Sequence, residues 1–72
     1  MLETKEIEIV VNGQPRQTPA GQSLTELLVW LEVDPARVAI ELNRSIVRRD
    51  RWDKTTIGQG AALEIVQFVG GG

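Results

Sequence analysis

Asn12-Gly13 constrains the fold of this chain more than any other pair of residues. Before it, Glu6 to Val11 alternates, with Ile7, Ile9 and Val11 on one face and Glu6 and Glu8 on the other. That period of two marks a strand with one buried face. An Asn-Gly dipeptide suits the two positive-φ positions of a type I′ turn, whose twist matches the strands it joins. The chain should therefore reverse at once into Gln14 to Thr18. That segment is polar and contains Pro15, so it belongs at a sheet edge, where a missing N–H donor does no harm.

The next signals are helical. Pro19-Ala20-Gly21 interrupts the chain, and Ser23 and Glu26 then have the spacing of a capping box, in which each side chain satisfies a backbone donor of the first turn. Leu24, Leu27, Leu28 and Leu31 recur at i, i+3, i+4 and i+7, a single apolar stripe. The helix is predicted to end near Glu32, because Pro35 disfavours a helical Asp34. Trp30 lies about 60° from Leu27 around the helix and is read as a ring flanking the core.

Strands return after the helix. Val38, Ile40 and Leu42 alternate on a third strand, Asn43-Arg44 turns the chain, and Ile46-Val47 begins a fourth, short one. Arg48, Arg49 and Arg51 form a basic cluster, read either as a solvated loop or as a docking site for an acidic partner or a partner's nucleotide. Trp52 is expected to anchor this irregular stretch, and Gly58 and Gly60 punctuate the loop before the last strand. There, Leu63 and Ile65 face the core, which turns Val66 and Phe68 to the opposite face. Phe68 either joins Val66 in a contact surface or folds back on the domain edge.

Strand, tight turn, strand, helix, strand, short strand, strand describes an α+β roll, with one main helix across one face of a mixed sheet of four to five strands. The first and last strands are the most apolar and should lie side by side at its centre. If they run the same way, the pair is parallel and the helix lies within the crossover. A folded domain is expected over residues 1–69, followed by a flexible glycine tail over 70–72.

Composition narrows the function. At 72 residues the chain suits one small domain, too small for a catalytic cleft between domains. A net charge of −2, with Lys5 and Lys54 as the only lysines, argues against nucleic-acid binding. Cysteine and histidine are absent, which removes disulfides, thiol nucleophiles, the usual general base and most zinc sites. No apolar run approaches the ~18 residues of a membrane span, and no signal peptide is visible, so a cytoplasmic location and no membrane partner are expected. Against this background Gly70-Gly71-Gly72 stands out. A glycine thread has no side chain to pack, and it presents a bare carboxylate narrow enough to enter another protein's closed site.

Five stretches together resemble a known family. They are Val11-Asn12-Gly13, Ser23-x-x-Glu26-Leu27-Leu28, Val38-Ala39-Ile40-Glu41-Leu42-Asn43, Ile46-Val47-x-Arg49-x-x-Trp52 and Glu64 through Gly72. They look like the sulfur carriers of the ubiquitin-like β-grasp superfamily, and most like the ThiS family of thiamine biosynthesis. The molybdopterin-synthase small subunit is a relative. The chain departs from the pattern at Gly60, which Ala61-Ala62 follows where the family often has an acidic residue, a change that touches a turn.

The resemblance implies a protein cosubstrate that is not itself an enzyme. Gly72 would be adenylated by an activating, ThiF-like partner that consumes ATP. A persulfide donor would convert it to a thiocarboxylate, whose sulfur passes to a ThiG-like thiazole synthase. Gly70 and Gly71 would thread into the partner, and Val66, Phe68, Arg48 and Arg49 would dock it, with no bound cofactor or metal. The glycine end alone is shared with carriers for molybdopterin or tRNA thiolation, and with ubiquitin-like conjugation or interaction modules.

Overall fold

The computed structural model describes residues 5–68. Strand β1 (Glu6–Val11) pairs antiparallel with β2 (Gln14–Pro19) through the two-residue turn, in which Asn12 and Gly13 have φ of 51° and 81°. Helix α1 (Leu24–Trp30) follows, then a 3-10 turn over Pro35–Arg37, β3 (Val38–Leu42), β4 (Ser45–Ile46), a 3-10 helix over Arg49–Lys54, and β5 (Ala62–Gln67). One five-stranded sheet has the order β2-β1-β5-β3-β4. The apolar outer strands of the sequence, β1 and β5, are indeed central neighbours and run parallel, while β3 pairs antiparallel with β5. The polar, proline-bearing β2 takes an edge.

The capping box is present with both bonds: the Glu26 N–H donates to Ser23 Oγ at 3.1 Å, and the Ser23 N–H to Glu26 Oε1 at 2.8 Å. Its stripe packs Leu24, Leu27 and Leu28 against Ile9, Val11, Val38, Ile40 and Leu63 of the sheet, with Leu31 partly covered. Trp52 and Ile57 complete this core from the loop. Trp30 is 53% exposed, so it lies outside the core.

The helix ends close to the expected Glu32, with Trp30 its last residue and Leu31 its C-cap. Glu32 adopts a left-handed φ of 60°. Its N–H donates to the Val29 carbonyl at 3.1 Å, and the Val33 N–H donates to the Leu28 carbonyl at 2.9 Å. These two bonds are a Schellman motif, which usually places glycine where Glu32 stands. Pro35 instead opens the 3-10 turn, where Asp34 Oδ1 accepts from the Ala36 N–H at 3.0 Å.

Trp52 anchors its loop as its sequence context suggested. It is 4% exposed, and its indole N–H donates to the Val47 carbonyl at 2.9 Å. The Gly60 turn also closes without an acidic residue. Gly60, at φ 79°, donates its N–H to the Glu8 carbonyl, and Ala61 is buried.

Candidate functional site

Because β5 alternates about a buried Leu63, the side chains of Val66 and Phe68 leave the sheet on the face away from α1. They are 56% and 53% exposed. The Phe68 N–H donates to the Arg37 carbonyl at 2.7 Å, which continues the bonding between β5 and the β3 side through this residue. Register places Ala39 beside Val66, Glu41 beside Glu64, and Ile46 beside Glu41. Glu6, Glu8 and Val10 share that face on β1. The result is an open sheet face whose apolar side chains, Val66, Phe68, Ile46 and Ala39, are bordered by four carboxylates. Exposed apolar groups gathered in this way mark interaction surfaces.

The basic cluster is divided by the fold. Arg48 extends into solvent, with Nε 3.7 Å from an Asp50 carboxylate oxygen. Arg49 turns inward, its guanidinium carbon 4.7 Å from the centre of the Trp52 ring. It donates to the Pro35 carbonyl and, at 3.5 Å, to that of Val38, the residue paired with Gln67. Arg49 therefore ties the start of β3 to the Trp52 anchor, level with the end of β5. Arg51 is exposed, and its carbonyl accepts from Thr55 Oγ1 at 2.7 Å.

Gly70, Gly71 and Gly72 lie outside the described residues, as does the domain boundary expected at residue 69. Among the described residues no cluster of three or more Asp or Glu side chains could hold a metal ion, and no helix is long and apolar enough to cross a membrane. A groove on the α1 side of the sheet is lined by Val11, Leu31, Val33, Val38 and Ile65, with Arg16 its single charged group. It offers no paired acid and base. The described part of the chain thus supplies surfaces and a strand that leads to the glycines.

Sequence reasoning assigned Asn12 and Asn43 to turns alone. Both side chains also bond β5: Asn12 to both backbone groups of Ile65, and Asn43 to the Ala62 N–H. The only hint was that each turn uses asparagine at a position where glycine would serve.

The model of the ThiS family matches residues 9–72. A thiazole synthase of Magnetococcus marinus is 35% identical over 66 residues, which are 92% of this chain but 20% of that protein, so the chain spans about a fifth of its length. The sulfur carrier protein ThiS of Escherichia coli is 33% identical over 66 residues, 92% of this chain and 100% of the relative. The crystal structure of the thiamine biosynthesis protein ThiS from Geobacter metallireducens superposes with a TM-score of 0.81 at 36% identity, covering 92% of this chain and 100% of that one.

Proposed function

The chain belongs to the ThiS family and has its β-grasp fold, and on that premise we propose that it is a sulfur carrier of thiamine biosynthesis whose working atom is carried on Gly72. A carboxylate is a poor acyl donor because its oxygen leaves badly. An activating enzyme adenylates Gly72 at the expense of ATP. The outer sulfur of a persulfide donor attacks the acyl adenylate and expels AMP, and a thiol then reduces the S–S bond of the acyl disulfide, being itself oxidised to a disulfide. The resulting thiocarboxylate is a nucleophilic sulfur on a protein handle, handed to a thiazole synthase as the thiazole ring forms. The carrier contributes no acid or base to these steps. Attachment to a docked protein raises the sulfur's effective concentration at the acceptor. Gly70 and Gly71 pass through the partner's channel as extended backbone, where a side chain would clash.

The observation that carries this reading is the position of β5. It occupies the centre of the sheet, between β1 and β3, and points its outward side chains, Val66 and Phe68, onto the open face just before the glycines. A partner seated on that face lies against the root of the tail. Val66 and Phe68 are its anchors, Arg48 supplies a peripheral charge, and Arg49 braces the start of β3 beside the end of β5.

Intact mass spectrometry tests the chemistry. Incubation with the activating enzyme, ATP and a persulfide source should add the mass difference between sulfur and oxygen, localised to Gly72. Removal of Gly72 should abolish the gain. An unchanged mass under conditions where the Escherichia coli carrier reacts would refute the reading, and adducts on lysines of other proteins would indicate conjugation instead. Addition of thiazole synthase together with the small-molecule precursors of the ring, which accept the sulfur, should return the original mass.

A further inference from the structure

The type I′ turn at Asn12 requires only a positive φ, which glycine meets at less cost. The asparagine amide does something the turn does not need. Asn12 Oδ1 accepts from the Ile65 N–H at 2.7 Å, and Nδ2 donates to the Ile65 carbonyl at 3.2 Å. One side chain thus presents the acceptor and donor that a neighbouring strand would offer through its backbone. The backbone ladder between β1 and β5 reaches as far as the Asn12 N–H, which donates to the Leu63 carbonyl at 2.8 Å. The amide carries it one step further toward the C-terminus, after the β1 backbone has turned away.

The two edges of β5 are otherwise held unequally. Ala62, Glu64, Val66 and Phe68 face β3, which accompanies them as far as the bond from the Phe68 N–H to the Arg37 carbonyl. Ala61, Leu63, Ile65 and Gln67 face β1, which ends at Val11 beside Leu63. At the other end of β5, Asn43 performs a similar task on the β3 side: its Oδ1 accepts from the Ala62 N–H at 3.0 Å, and its own N–H donates to the Ala62 carbonyl at 2.7 Å.

We propose that Asn12 is a positioning residue for the C-terminal tail: its side-chain amide stands in for strand backbone at Ile65 and fixes the end of β5 from which residues 69–72 continue. Without it, the last residues of β5 are bonded along one edge only and open locally more often. A reacting atom borne on the following residues is then spread over more directions, which lowers the rate of reaction more than the affinity of docking. The link to reaction rate rests on the carrier reading; the clamp itself does not.

Asn12→Gly tests the clamp in the intact chain, because glycine keeps the positive φ and deletes only the amide. Asn43→Gly is the matched control at the opposite end of β5. In amide hydrogen exchange of the free protein, the protection of Ile65 relative to Leu27, whose N–H donates to the Ser23 carbonyl at 2.8 Å in the buried helix stripe, should fall about tenfold in Asn12→Gly and stay unchanged in Asn43→Gly. The ratio cancels any uniform loss of stability, which would speed both amides together. With the activating enzyme, kcat for Gly72 modification should fall about fivefold in Asn12→Gly with KM within about twofold, and Asn43→Gly should match the parent chain. An unchanged Ile65-to-Leu27 ratio would overturn the clamp. An unchanged kcat, or an equal fall in both variants, would overturn its role in positioning. Failure of the parent chain to be modified at all would overturn the carrier reading and the positioning role with it, while the exchange ratio still decides the clamp.

Discussion

Arg49 sets its guanidinium beside the Trp52 ring and directs its N–H donors to the Pro35 and Val38 carbonyls, whereas Arg48 meets only solvent and Asp50. A cation over an indole is worth ~0.5–1 kcal/mol where exposed, and hydrogen bonds from a charged group add to it. Arg49→Ala should therefore cost about 1–2 kcal/mol in urea denaturation, while Arg48→Ala should stay within about 0.5 kcal/mol, as exposed ion pairs generally do. Equal effects would show that the two arginines are alike. Val66 and Phe68 are the opposite case, exposed side chains on a covered backbone. Either one changed to Asp should leave the melting temperature within a few degrees and raise the Kd for the activating enzyme about tenfold or more, measured by titration calorimetry. The division of the arginine cluster could not be read from the sequence, because it depends on carbonyls 11 and 14 residues away.

At the scale of elements, legibility followed range. The Asn12-Gly13 turn and the Ser23 capping box are decided within four residues, and both formed as their chemistry required. The central pairing of β1 and β5 was legible because strands flanked on both edges lie over the middle of the core, and their inner faces carry more apolar residues than the inner face of an edge strand. The end of α1 near Glu32 was legible too, but the way it closes was not, since Glu32 occupies a position where the expected signal is glycine. That mismatch gives a prediction of unusual sign. A non-glycine residue at left-handed φ is strained, so Glu32→Gly should stabilise the fold by about 0.5–1 kcal/mol, provided the Val33-to-Leu28 bond is retained. Thermal unfolding should then move up by a few degrees, about 2–8 °C for a domain of this size. A fall would mean that the Glu32 side chain contributes more than its backbone strain costs. The amide bonds from Asn12 to Ile65 were beyond reach for a similar reason, since their partners are separated by 53 residues.

At the scale of the molecule, eleven buried apolar residues form one core with no disulfide or metal to reinforce it among the described residues. Small domains of this kind have only a few kcal/mol in hand. Removing a buried large side chain costs ~3–5 kcal/mol, so Trp52→Ala should be largely unfolded at 37 °C by circular dichroism, whereas Trp30→Ala should fold. The parallel pairing of β1 with β5 adds an order of events. The strand at the middle of the sheet is the last of the five in sequence order, and β1 waits unpaired on that side until β5 exists. Such long-range closure is slow and makes folding of the domain depend on its last strand. A chain cut short before Ala62 should lack its central strand and stay unfolded, which proteolysis of ribosome-released fragments would reveal. Any partner that binds the open sheet face accordingly recognises only molecules whose synthesis has passed Gln67, so a folded surface certifies that the stretch leading to the glycines has been made.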